Sequence, residues 1–200
     1  MIDFTPLYKR EKSLDELARG LCPKDLHSLT DEMIDTMLEL LSQAIDADVI
    51  FIPFDPDAFD EHAESPEDTN LAWTLGHVIV HTTATAEEAA AMAASLARGV
   101  PVNCRMRYET PWKAVATVQQ LRQRLEESRR MRHAFLDAWP DHPDLNLTYK
   151  PDHPKARPRN ALTRFVAGLL HDDSHLPQIR SIIAQASAAR VTPDVLNRMA

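Results

Sequence analysis

Hydrophobic positions in this chain recur every three or four residues over long stretches, and proline-containing polar segments separate the stretches. That spacing predicts amphipathic helices rather than strands. Leu26, Leu29, Met33, Met37, Leu40, Leu41 and Ala44 form the first stripe; a short helix precedes it, capped by Ser13, running through Leu21 and interrupted at Pro23. A second stripe, Leu71, Leu75, Val78, Thr82, Thr85, Ala89, Met92 and Leu96, predicts a helix capped by Thr69 or Asn70 that runs to about Arg98, where Gly99 and Pro101 stop it. The small members Thr82, Thr85 and Ala89 would let a neighbouring helix approach closely. The third helix is expected from about Trp112 to Ala138, with Val115, Val118, Leu121, Leu125, Phe135 and Trp139 inward and Trp139-Pro140 at its end. The fourth is expected from Asn160 to Ala189, burying Leu162, Phe165, Val166, Leu169, Leu176, Ile179 and Ile183, with Pro177 bending it beside the Asp173 carbonyl.

Between these helices, residues 46–69 form an acidic, proline-containing loop around the apolar hexapeptide from Val49 to Phe54, and residues 141–159 form a proline-rich connection. The sum is an all-α chain, a four-helix bundle filling one domain over residues 1–200. Composition agrees, with 44% hydrophobic residues and only four glycines. A net charge of −8 provides no basic field for phosphates, which argues against a nucleic-acid partner. No apolar run approaches the roughly 20 residues that cross a bilayer, and the first ten residues lack a signal-peptide core, so a cytoplasmic protein without a membrane partner is expected. Cys22 and Cys104 stand far apart, as reduced thiols do.

The chemistry lies in the histidines. Of nine, His77 and His81 on the second helix and His171 and His175 on the fourth sit at a spacing of four, which puts each pair on one helix face. His81 lies between the inward positions Val78 and Thr85, whereas His77 is rotated towards the edge of the stripe, so His81 is the better inward ligand. His81, His171 and His175 together give a three-nitrogen set that leaves positions open on a zinc, nickel, iron or manganese ion, the arrangement of catalytic rather than structural sites. A helical histidine pair also fits a merely hydrogen-bonded, partly buried set; the inward His81 on another helix weighs against that. There is no HExxH motif and no Glu-x-x-His on any helix, which leaves a mononuclear site.

WTLGHVIVH, Trp73 to His81, and HDDSHLPQIR, His171 to Arg180, resemble the DinB/YfiT-like superfamily of four-helix bundles with a three-histidine metal site. In that pattern a Trp stands eight positions before the second-helix ligand, which selects His81, and an H-x-x-x-H followed by Gln-Ile matches His171, His175, Gln178 and Ile179. The resemblance implies up-down-down-up topology, a bundle that in this family is often a homodimer, zinc or a similar ion, and for characterised relatives a thiol-dependent transferase or isomerase using bacillithiol, mycothiol or glutathione. The acidic loop 46–69 and the segment Arg105 to Trp112 lie outside that pattern.

The leading expectation is a metal-dependent transfer of a low-molecular-weight thiol cosubstrate to a small electrophile, with the nucleophile brought by the thiol or water and not by the protein. The alternatives are metal-assisted hydrolysis and a non-catalytic, stress-associated metal-binding bundle. Asp172 and Asp173 are candidate acceptors for the ligand imidazoles, against a solvated role for at least one. Gln178 is a candidate contact for bound water or substrate. Arg105, Arg107 and Tyr108 could grip a carboxylate, against the plainer reading of loop charge in which Glu109 pairs with an arginine. Trp73 and Trp112 read as packing residues. His27, His62, His133, His142 and His153 are assigned no chemistry, and the acidic residues Asp55, Asp57, Asp60 and Glu61 read as a solvated loop.

Overall fold

The computed structural model describes residues 1–60, 65–104, 107–150 and 156–198, with side chains described as far as residue 190. All its regular elements are helical: α1 (Thr5–Tyr8), α2 (Leu14–Ala18), α3 (Pro23–Leu40), α4 (Asp46–Val49), α5 (Leu75–Ala97), α6 (Val118–Asp137) and α7 (Ala161–Arg198), with single 3₁₀ turns at Leu41–Gln43 and Trp112–Ala114. Among the described residues the only β pairing is an isolated bridge between Tyr149 and Arg159, which draws together the ends of the connection before α7.

Capping chemistry explains most boundaries. Ser13 accepts from the Glu16 N–H while the Glu16 carboxylate accepts from Ser13, a reciprocal cap that starts α2. Helix α5 begins later than the hydrophobic stripe suggests, at Leu75, where the Thr74 hydroxyl accepts from the His77 N–H. The expected caps Thr69 and Asn70 are held in the loop instead: the Thr69 carbonyl accepts from Asp60 N–H and Leu71 N–H donates back to Asp68. The third helix is split. Trp112–Ala114 makes a 3₁₀ turn, and α6 starts only after Thr117, whose hydroxyl and Gln120 form a second reciprocal cap. Asn160 caps α7 through the Thr163 N–H, and α7 passes through Pro177 and beyond Ala189 without a break.

One core joins the four long helices, with Leu26, Met33, Ile34 and Met37 of α3, Leu75, Val78 and Ile79 of α5, Leu121 and Leu125 of α6, and Phe165, Val166, Leu169, Leu176 and Ile179 of α7 all buried in it. Helices α5 and α7 approach closely at Gly168. A Cβ added at Gly168 would sit 2.9 Å from the Ala89 Cβ and 3.2 Å from the Ala86 Cα, so glycine is required there by the neighbouring backbone. Cross-helix pairs set the registers: Asp31 and Asp35 meet Arg129 and His27 meets Asp137 between α3 and α6, and the Leu41 carbonyl, in the 3₁₀ turn after α3, accepts from Arg122. Glu87 meets Arg124 between α5 and α6, and Met92 meets Arg164 between α5 and α7.

The acidic loop is tied to the far part of α7. Asp48, wholly buried, pairs with Arg190, and the Phe54 N–H donates to Gln185. Ile50, Ile52, Phe54 and Phe59 of the same segment are exposed. Among the described residues no helix is long and apolar enough to cross a membrane.

Candidate metal centre

Helix α5 delivers His81 and α7 delivers His171 and His175 to one point. The close approach at Gly168, one turn before His171, is what makes this possible, because the helices must nearly touch for imidazoles of modest length to meet. One ring nitrogen from each of the three lies within 4.8 Å of the others, the single group of this kind among the described residues. His81 Nε2 and His171 Nε2 are 3.1 Å apart. Two imidazole nitrogens each about 2.0–2.1 Å from one zinc ion lie roughly 2.9–3.4 Å apart for bond angles between 90° and tetrahedral, so this spacing suits a shared ion.

The electrostatics favour lone pairs over protons. Burial, aided by Arg107 and the neighbouring imidazoles, depresses His81 to about 2. Burial and His175 depress His171 to about 3, and burial lowers His175 as well. Neutral imidazole is the form that ligates a metal. His171 Nδ1 is buried with no hydrogen-bond partner. The donor set, its convergence and its neutrality fit a divalent transition ion: His81, His171 and His175 could hold one.

The surroundings sort the remaining candidates. Gln178, one turn beyond His175, has its Oε1 2.8 Å from His175 Nδ1. A side-chain carbonyl can only accept, so Nδ1 carries the proton and Nε2 keeps its lone pair. Gln178 thus orients an imidazole directly. Asp172 does not: it is wholly buried, 2.5 Å from Arg132 of α6, and its second oxygen has no hydrogen-bond partner. Its carboxyl is pushed up to about 6 because burial outweighs the pull of Arg132. The reason is helical geometry, since residue 172 is turned about 100° from 171 and faces α6. Asp173 accepts from the Tyr8 hydroxyl at 2.8 Å.

His77 lies apart from the three, buried between two tryptophans. Its ring stacks on Trp73 at 4.4 Å and lies parallel to Trp112 at 4.8 Å. Burial drives it down to about 4 against the pull of Asp60 and Asp68. Trp73 also contacts His81, at 4.5 Å between ring centroids, and stacks at 6.0 Å on His175. It therefore walls the centre as well as packing the core, a double role that its place eight residues before His81 suggests only by analogy.

Residues 107–109 approach the centre from the loop before α6. Arg107 Nη2 lies 2.9 Å from His81 Nδ1 and 3.4 Å from the His81 carbonyl, and it pairs with Glu109. Glu109 Oε1 is 4.0 Å from the same Nδ1. Sequence reasoning offered Arg107 a carboxylate to grip; the contact with His81 had no periodic signal to reveal it. Tyr108 is exposed, and Arg105, His62, His153 and Glu61 lie outside the described residues.

Comparison with known proteins supplies one match. No curated protein and no solved structure matches the chain significantly. The family model described as the DinB superfamily matches residues 13–179, a span that takes in α2 to α6, the first half of α7 and all three converging histidines. On a match covering that much of its length, the protein belongs to the DinB superfamily.

Proposed function

We propose that this protein is a metal-dependent thiol S-transferase acting on a small electrophile, with a divalent ion held by His81, His171 and His175. The observation that carries the reading is the convergence of three neutral imidazoles, with no further carboxylate, thiol or imidazole grouped with them among the described residues. Three protein ligands leave coordination open for another molecule, as in catalytic sites. Zinc is the first choice, and nickel, iron and manganese suit the same donors. An ion there would lower the pKa of a thiol or water that binds it.

The chain's own groups prepare the site. Gln178 holds the His175 tautomer, Trp73 closes one wall against water, and Arg107 is a cation beside the imidazoles to receive an anionic group of a cosubstrate. The helix registers support an up-down-down-up bundle, since rising positions on α3 meet falling positions on α6, and rising positions on α5 meet falling positions on α7. A homodimer in the cytoplasm completes the reading, with exposed Phe54 and Phe59 as apolar surface for a second copy.

Metal analysis of the purified protein and of His175→Ala, followed by thiol consumption with bacillithiol, mycothiol and glutathione against model electrophiles, tests this. Stoichiometric metal in the wild type alone and turnover with one thiol are expected. Metal retained equally by both proteins would sink the ligand assignment. Hydrolysis of esters or amides without thiol turnover would make it a hydrolase, and neither activity would leave a metal-binding bundle.

A further inference from the structure

The two imidazoles with partners at their outer nitrogens are prepared in opposite senses. His175 Nδ1 faces an acceptor, the Gln178 Oε1, so its inner nitrogen is free to ligate. His81 Nδ1 faces the Arg107 guanidinium at 2.9 Å. A guanidinium has donors and no acceptor. Nδ1 of His81 must therefore accept, the ring proton must sit on Nε2, and that proton is what bridges the 3.1 Å to His171 Nε2. In this tautomer His81 has no inward lone pair. Its ring is spent on a hydrogen bond to the neighbouring ligand.

Ligation through Nε2 moves the proton to Nδ1, where it would confront an Arg107 N–H, donor against donor. Arg107 must then leave. The group positioned to replace it is its own ion-pair partner: Glu109 Oε1 is 4.0 Å from His81 Nδ1, and the other Glu109 oxygen holds Arg107. A carboxylate that accepts from the outer N–H of a ligating histidine fixes its tautomer and raises its basicity.

We propose that Arg107 and Glu109 form an exchange pair at His81: Arg107 holds the ion-free tautomer, and Glu109 accepts a hydrogen bond from the Nδ1–H when the ion binds. Arg107 then opposes metal binding and Glu109 supports it, although they are two residues apart and paired with each other. Glu109 is a positioning residue, since it acts through His81. The proposal rests on the reading of His81 as a ligand.

Zinc dissociation constants of the full-length protein, measured by competition with a chromogenic chelator, separate the two roles. Glu109→Gln is expected to weaken zinc by about 10–100-fold, while Arg107→Met tightens it. His81→Ala is expected to weaken zinc and to abolish the effect of either loop substitution when combined with it. Long-range proton–nitrogen NMR spectra of the imidazoles should show the His81 proton on Nε2 without zinc and on Nδ1 with it, a change that loss of loop packing would not produce. Weaker or unchanged zinc binding in Arg107→Met, or an Nδ1 proton on His81 in the zinc-free protein, would overturn the exchange while the ligand reading stood. Undiminished zinc binding in His81→Ala would overturn both.

Discussion

His77 shows how one ring can be chemistry in sequence and structure in the fold. Between Trp73 and Trp112 it is held neutral, with its pKa driven down to about 4 from 6.5. The unfolded chain takes up a proton there as the pH falls below 6.5, and the folded chain refuses it until about pH 4. Stability is therefore fully present above pH 6.5 and declines with falling pH across that window. His77→Phe, which keeps a ring in the stack, should make the loss of melting temperature over that range shallower by one proton's worth; an unchanged slope would show that His77 does not titrate so. The buried Arg132–Asp172 pair makes a second residue-level case. Arg132→Met strands a carboxylate in the core and should cost about 3–5 kcal/mol in denaturant unfolding, whereas Arg132→Met with Asp172→Leu should recover most of that loss.

Among the elements, the α5–α7 contact governs the centre. Gly168 against Ala86 and Ala89 has no room for a larger side chain, so Gly168→Val should force the helices apart, destabilise the protein by about 1–3 kcal/mol or more, and weaken zinc binding beyond that of an equally destabilised variant elsewhere. Calorimetry beside a zinc titration separates the two effects. Much of this was legible beforehand. The three-and-four step of apolar residues marks α3, α5, α6 and α7, and the same arithmetic turns His81, His171 and His175 inward. The starts of α5 and α6 were not, because a stripe continues through Leu71 and Val115 whether the backbone there is helical or not, and the decision falls to Thr74 and Thr117 as caps. Nor could periodicity bring Arg107 and Glu109 to His81, or turn Asp172 to Arg132. Those contacts depend on a loop path and on which neighbour a helix face meets.

For the whole molecule, the centre and the core are one structure, since the helices that carry His81, His171 and His175 also carry the buried Val78, Ile79, Leu176 and Ile179. Metal should therefore act as a ligand of the folded state. Zinc at 100 times its dissociation constant adds about 2.7 kcal/mol, which for a chain of this size raises the melting temperature by roughly 5–10 °C; a chelator should reverse the shift, and His175→Ala should not show it. The aromatic wall gives this event a colour. Of the three tryptophans, Trp73 lies against two of the three imidazoles, Trp112 stacks on His77 instead, and Trp139 packs elsewhere, beside Leu96 and Ala161. An ion with a partly filled d shell would drain the emission of Trp73, while zinc, with its shell full, would leave it bright. The protein thus carries its own fluorescent gauge, reading from the inside which kind of ion has arrived.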